Sequence, residues 1–225
     1  VSGGTNYFWL TYDIDPNAQT GNVVDAQFTS VTVGGIARTP TTTNPSGSRT
    51  IVQPMSGTYT IDANGSGNRN FTTFNAAVTQ LGVAGVSGPV TFNVAAGTYN
   101  EQVTITEVLG ASATNTITFD GGTGNASTRT LTTSTSTSGD YVIRLDGADH
   151  IVLKNLTMTA NGSTYGYVVR LTNEADYNEI SGCVINAPMS SNSYAIGILG
   201  GSPTSYSSSG DWAEFNLIKD NTVVG

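Results

Sequence analysis

From Tyr141 onward, apolar and polar positions alternate in short runs, and the runs recur. The phrases are YVIRLDGADHIVLKNLTMTA from Tyr141, YVVRLTNEADYNEISGCVINA from Tyr167, and YAIGILGG followed by FNLIKDNTVVG from Tyr194. Their opening tyrosines stand 26 (167 − 141) and 27 (194 − 167) residues apart. A repeat in the range of about 20 to 50 residues marks a solenoid or array. Ile143, Val169 and Ile196 fall in one column, and Leu145, Leu171 and Ile198 in the next inward one. A second strand follows in each phrase, aligning Leu153 with Ile180 and Ile218, Leu156 with Cys183 and Asn221, and Met158 with Ile185 and Val223. Two-residue alternation puts Arg144 and Arg170 on the opposite face, expected to point to water. The columns are largely β-branched and fit no helical period.

Upstream the texture changes. NYFWLTYDI (6–14) predicts an aromatic strand, DPNAQTGN a turn, VVDAQFTSVTV a second strand, and RTPTTTNPSGSRTI a connection into a further one. Residues 1–53 therefore read as the C-terminal part of a β-sandwich, with further strands expected before Val1. Residues 54–85 read as a joint: SGTYTID is a strand, and FTTFNAAVTQLGVAG places Phe71, Phe74, Ala77, Val78 and Leu81 at amphipathic-helix spacing. Asn70 or Thr72 is the expected N-cap, and Gly82 or Gly85 the stop. This helix is assigned to covering the first turn of the repeat, since an open rung offers unpaired backbone.

Residues 86–225 then build the repeat array. Val90, Phe92 and Val94, then Val103 and Ile105, then Ile117 and Phe119 make its first turns, and the Ser/Thr-rich 130–139 is a loop or polar outer strand. Between Tyr194 and Phe215 the repeat is stretched by GSPTSYSSSGD (201–211), an insertion of the kind that maps to a binding face. The expected fold class is all-β: a partial β-sandwich, then a right-handed parallel β-helix with a short N-terminal capping helix, the helix expected to continue past Gly225.

Charge narrows the partners. The 225 residues carry 8 Lys and Arg against 16 Asp and Glu, a formal charge of −8, and no basic cluster. That excludes the basic footprint nucleic acid and anionic membranes require. No apolar run approaches the roughly 20 residues needed to span a bilayer. One cysteine, Cys183, permits no internal disulfide, and its column predicts a buried, inert thiol.

VSGPVTFNVAAGTYNEQVTI (86–105) resembles the opening turns of pectin methylesterase-like β-helix proteins, which carry a similar Gly-Thr-Tyr-x-Glu-x-Val; Gly97, Thr98, Tyr99, Glu101 and Val103 are the matching positions. The esterase's aspartates, glutamines and arginine, in strings such as GQAVA, QDTL, DFIFG and LGRPW, have no counterpart here. The chain as a whole is similar to large surface proteins of gliding and predatory Bacteroidota exported by the type IX system. That similarity rests on NYFWLTYDIDPNAQTGNVVDAQFTSVTVGG, SGTYTI, the FTTFNAAV-like helix and the stretch from Val86. The resemblance implies secretion, a modular surface protein, and adhesive or structural work.

Three sets of residues are candidates for chemistry. Asp146 and Asp149, with Glu174 and Asp176 one repeat on, stack at the strand spacing of about 4.8 Å and form a candidate Ca²⁺ site; solvated turn residues neutralised by Arg144 and Arg170 are the other reading. Tyr165, Tyr206 and Trp212 are candidate sugar-stacking residues, or a cover for the edge of the array. His150, the single histidine, aligns with Tyr177 and Phe215 and reads as an edge packing residue. GGTGNAS from Gly121 lacks the Lys-Ser/Thr of a phosphate loop.

The expectation is a non-enzymatic extracellular module, a rigid spacer and contact surface in a cell-surface or filament protein, with no cofactor apart from the calcium candidate. Its partners would be other segments of the same protein or identical subunits, with surface glycans or a prey or host cell surface as further contacts. The alternative is a carbohydrate-binding or polysaccharide-active β-helix, lyase or esterase, whose active residues lie outside these 225.

Overall fold

Alternating branched residues organise a mostly β structure. A computed structural model describes residues 11, 13–15, 18–136, 139–162, 166–187, 193–198 and 212–225. The chain divides into two units, Val1–Gln53 and Pro54–Gly225.

In the first unit, β1 (Val23–Val24), β2 (Val31–Val33), β3 (Ile36–Arg38) and β4 (Arg49–Thr50) form two antiparallel pairs, β1 with β4 and β2 with β3. Gly34 and Gly35 both adopt positive φ (58° and 80°) between Val33 and its partner Ile36. A two-residue hairpin turn of this hand requires such angles, and glycine meets them without steric cost. The strand expected over 23–33 is broken in two, because Asp25 turns its carboxylate back onto the Ala26 N–H at 2.7 Å. The aromatic strand expected over 6–14 falls mostly outside the described residues; Thr11, Asp13 and Ile14 are described and are not strand.

The second unit opens with β5 (Met55–Ile61), β6 (Asn70–Phe71) and helix α1 (Phe74–Ala84). Thr73, and neither Asn70 nor Thr72, is the N-cap: its hydroxyl accepts the Ala76 N–H at 3.0 Å. Asn70 is instead held in β6, its amide donating to Asp62 O. Gly85 ends the helix at φ 64°, its N–H donating to Leu81 O, and a Cβ there would meet Leu109 O at 2.7 Å. Phe74, Ala77, Leu81 and Ala84 form the buried face, whereas Phe71 belongs to β6 and Val78 is half-buried.

Three parallel sheets follow, visited in cyclic order. The first pass is β7 (Val86–Val94), β8 (Gly97–Asn100) and β9 (Val103–Thr106); the second is β10 (Ile117–Asp120), β11 (Arg129–Thr133) and β12 (Tyr141–Asp146). The third is β13 (Ile151–Lys154), β14 (Thr157–Ala160) and β15 (Gly166–Thr172); the fourth is β16 (Glu179–Ser181), β17 (Val184–Asn186) and β18 (Ser193–Ile198); β19 (Leu217–Lys219) and β20 (Thr222–Val224) begin a fifth. The sheets run β19-β16-β13-β10-β7-β5-β6, β20-β17-β14-β11-β8 and β18-β15-β12-β9. This order is consistent with a parallel β-helix.

Register stacks the side chains into the expected columns. Ile143 pairs with Val169 and Val169 with Ile196; Leu145 pairs with Leu171 and Leu171 with Ile198. Leu153, Ile180 and Ile218 align in the first sheet, and Met158, Ile185 and Val223 in the second. The columns reach down to Phe92 and Phe119, whose rings stack at 4.9 Å, with Phe74 of α1 5.9 Å from Phe119. Each fully buried Ile, Leu or Phe in such a column contributes about 1.5–3 kcal/mol.

Two expectations need correction. Residues 129–133 are a central strand, because Leu131 inserts between Tyr99 and Met158 and is buried, so the Ser/Thr-rich texture hides one inward residue. Arg170 does not point to water: it is 2% exposed, and its Nη1 donates to both carboxylate oxygens of Asp140 at 2.7 and 2.9 Å.

Candidate functional site

The corner where the third sheet turns back into the first brings most of the expected site residues together. Here the chain turns from one sheet to the next once per repeat, and it does so with residues in the left-handed region: Gly147 and Asn173 (φ 68° and 55°), then His150, Tyr177 and Phe215 (φ 58°, 56° and 55°). Bulky residues there are strained. The strain is offset by stacking: His150 lies 5.2 Å from Tyr177 at 14°, and Tyr177 lies 4.9 Å from Phe215 at 7°. His150 is thus the packing residue that its alignment suggested, a ring in a ladder.

The acidic residues of this corner act on backbone. Asp149 Oδ1 accepts the Asp176 N–H at 2.8 Å, and Asp176 Oδ1 accepts the Glu214 N–H at 2.5 Å. Each carboxylate caps the next repeat at the same place. Asp146 has a different job: it accepts from the Thr172 hydroxyl at 3.1 Å and from the Asn173 amide, and pairs with Arg144 at 3.3 Å. Asp146, Asp149 and Asp176 are therefore each engaged by different partners, and Glu174 is exposed at φ 58°. Among the described residues, no three His, Cys, Asp or Glu side chains gather as metal ligands.

Asparagines, which sequence reasoning missed, do the most work here. Asn178 is buried at 2% exposure; its amide donates to Ala148 O at 2.9 Å and accepts the Ile151 N–H at 2.8 Å, both in the preceding repeat. Asn216 repeats the pattern on Ala175 O and the Asn178 N–H, and Asn221 on Ile180 O and the Cys183 N–H. One side chain thereby satisfies a buried donor and a buried acceptor. The signal was present as a coincidence of Asn at positions 178 and 216, one residue after Tyr177 and Phe215 in the ladder.

On the outer face of the third sheet, Arg144 lies 4.9 Å from the Tyr141 ring and Arg170 5.4 Å from the Tyr167 ring. Tyr167 in turn stacks on Tyr194 at 5.1 Å. Such cation–ring contacts on adjacent rungs, with Asp140 and Asp146 as counter-charges, offset the repulsion of two arginines in register.

Of the sugar-stacking candidates, Trp212 is 72% exposed, while Tyr165 and Tyr206 lie outside the described residues. Tyr177 has a neighbouring ring on each side in its ladder, so stacking uses its faces. Phe215, 68% exposed, has Tyr177 on one side. Cys183 is buried, and burial pushes its thiol up to about 11, against the opposing effect of hydrogen bonds to nearby backbone. A thiol so raised is not a nucleophile at neutral pH.

The first unit has a shallow depression lined by Ile14, Val24, Ile51, Val52 and Arg49. Its single charged group offers no acid–base pair. No helix among the described residues is long and apolar enough to cross a membrane. No protein-family model, curated protein or solved structure matches the chain.

Proposed function

We propose that this chain is a rigid structural and adhesive module of a large extracellular protein, similar to the type IX-exported surface proteins of Bacteroidota. In this reading the three sheets close into a right-handed parallel β-helix, α1 covers its first coil, and residues 1–53 belong to a β-sandwich. The coil is the mechanical element and its outer face the contact surface.

The observation that carries the reading is the unbroken register of aliphatic columns, as in Ile143, Val169 and Ile196, from repeat to repeat. Each repeat contacts its neighbours through backbone ladders, aliphatic columns and asparagine bridges, and stability in such arrays is close to a sum of nearest-neighbour contributions. The chemistry-bearing residues are spent on the scaffold: Asp149 and Asp176 cap backbone, His150 stacks, and Cys183 is buried.

Two measurements test it. Pulling the full chain along its axis should give a resistant unit that yields in steps the size of one repeat; a single low-force event would overturn the spacer reading. Incubation with pectins and alginates should release no new reducing or unsaturated ends, and their appearance would establish the polysaccharide-active alternative instead. A glycan-binding surface is favoured by one observation, the 72% exposure of Trp212; loss of glycan-array signal in Trp212→Ala would support it.

A further inference from the structure

β5 is the strand from which the first sheet grows, and its two sides are treated differently. β7 runs beside it from Met55 to Ile61, whereas on its other side β6 meets only Thr60 and Ile61. From Ser56 to Thr58 the strand is exposed, and no strand among the described residues lies against that side. Open backbone of this kind is a template for any extended chain that reaches it.

One side chain closes the gap. Arg69 Nη1 donates to Ser56 O at 3.2 Å and to Thr58 O at 3.1 Å, and the guanidinium lies 4.8 Å from the Tyr59 ring. These carbonyls face away from β7. Alternate residues of a strand turn their backbone groups to opposite neighbours: Ile61 O accepts the Ala95 N–H on the β7 side, the Thr60 N–H donates to Arg69 O on the other, and Thr58 and Ser56 follow Thr60. No carboxylate pairs with Arg69 among the described residues. Its charge is applied to the edge itself, and its own backbone is anchored there by the Thr60 N–H. A guanidinium suits the place, since its donors lie in a rigid plane that also stacks on a ring.

We propose that Arg69 is an edge guard, which keeps the outer side of β5 from pairing with a second copy of this chain. The occupant it excludes follows from the spacing. Ser56 and Thr58 flank Gly57, so two β5 edges related by a two-fold axis through Gly57 would set each Ser56 opposite the other copy's Thr58, every such pair exchanging both backbone bonds. The two carbonyls that this pairing would use are the two that Arg69 holds. The guanidinium stands where the second strand would lie, and docking would bring two arginines together without a counter-charge. The guard acts on β5, β6 and β7 alone and is independent of the spacer reading.

The test compares the full chain with Arg69→Met, which keeps the stem and removes the donors and the charge. Sedimentation velocity over a range of protein concentrations should show the variant associating roughly tenfold more tightly than the unaltered chain, with amide exchange at Ser56 and Thr58 slowing as concentration rises. Adding Thr58→Pro, which deletes an outward N–H and leaves the β7 ladder intact, should return association to the unaltered level. Arg69→Gln, with a single amide group as donor, should fall between, and it supplies the same comparison should Arg69→Met fold poorly. The proposal is overturned if neither Arg69 variant associates more than the unaltered chain, if Thr58→Pro leaves the association in place, or if association comes without slowed exchange at Ser56 and Thr58. Any of these results leaves repeat-sized steps under force, and with them the spacer reading, untouched.

Discussion

The Glu101 carboxylate caps α1 from 27 residues away, its Oε1 accepting the Phe74 N–H at 2.9 Å. Its Oε2 accepts the Asn75 N–H and side-chain amide, also at 2.9 Å. No acidic residue stands in the first turn of α1, so the negative charge a helix N-terminus favours comes from the strand side. Tyr99, two residues before, completes the contact: its ring meets Phe74 edge-on at 5.2 Å and its hydroxyl donates to Ile61 O at 2.8 Å. The Gly-Thr-Tyr-x-Glu-x-Val stretch is a device for seating this helix.

Replacing Glu101 by alanine should therefore cost about 1–2 kcal/mol, the scale of a lost N-cap with its charge. Glu101→Gln, which keeps an acceptor oxygen but not the charge, should lose less. Urea unfolding of the two variants checks this; equal midpoints to the unaltered protein would show that the helix is held without the carboxylate.

Asn178 carries a larger share. Asn178→Leu fits the volume but strands Ala148 O and the Ile151 N–H in a dry interior, at about 1–3 kcal/mol for each group left unsatisfied. The expected result is a drop in thermal midpoint larger than that from Asn216→Leu, since Asn216 lies nearer the exposed edge. Amide exchange at Ile151 should speed up in the Asn178 variant.

The columns were legible in the sequence because their chemistry is simple: Ile143, Val169 and Ile196 declare themselves through two-residue alternation at a constant spacing. What was not legible depended on polar side chains whose partners lie a repeat away. Arg170 sits between inward residues, so alternation assigns it to water, yet it pairs with Asp140, which lies before the start of the preceding strand. Asn178 occupies the place that Ile151 fills in the repeat before, so nothing local separates a bridge from a surface amide. Asp149 and Asp176, two of the four carboxylates read as a candidate Ca²⁺ site with Asp146 and Glu174, each turn Oδ1 onto a backbone N–H of the next repeat, a partner that column spacing alone does not show. Leu131 was lost because Thr and Ser flank it on both sides.

The Arg170–Asp140 pair gives a third prediction. Removing one partner of a buried ion pair leaves a charge without compensation, at about 3–5 kcal/mol. Asp140 keeps some exposure, 15% for its side chain, so Asp140→Ala should fall near the lower limit. Asp140→Asn, an acceptor without charge, should recover part of the loss. Chemical denaturation of both, with the Tyr167 ring environment followed by near-ultraviolet dichroism, reads the outcome; no change in either signal would mean that Arg170 is held by other contacts.

Acid should act on the first sheet before the aliphatic columns feel it. Burial pushes the Asp120 carboxyl up, but donation from Asn155, from the Gly122 N–H and from Lys154 outweighs that and holds it below its ordinary value of 3.8. The Ser181 hydroxyl, working against burial, together with Lys219 holds Glu179 below 4.5. A carboxylate depressed in the folded state contributes stability that is complete above the unfolded value and is lost as pH falls through the folded one. Stability should therefore hold down to the ordinary values of these two groups and decline below them. Asp120→Asn, in which one of the two can no longer titrate, should be less stable at neutral pH and flatter in that acid range, and urea midpoints measured from neutral pH downward decide it. A variant that runs parallel to the unaltered protein over the whole range would show that Asp120 takes up its proton equally in both states and that its three donors contribute nothing net to folding.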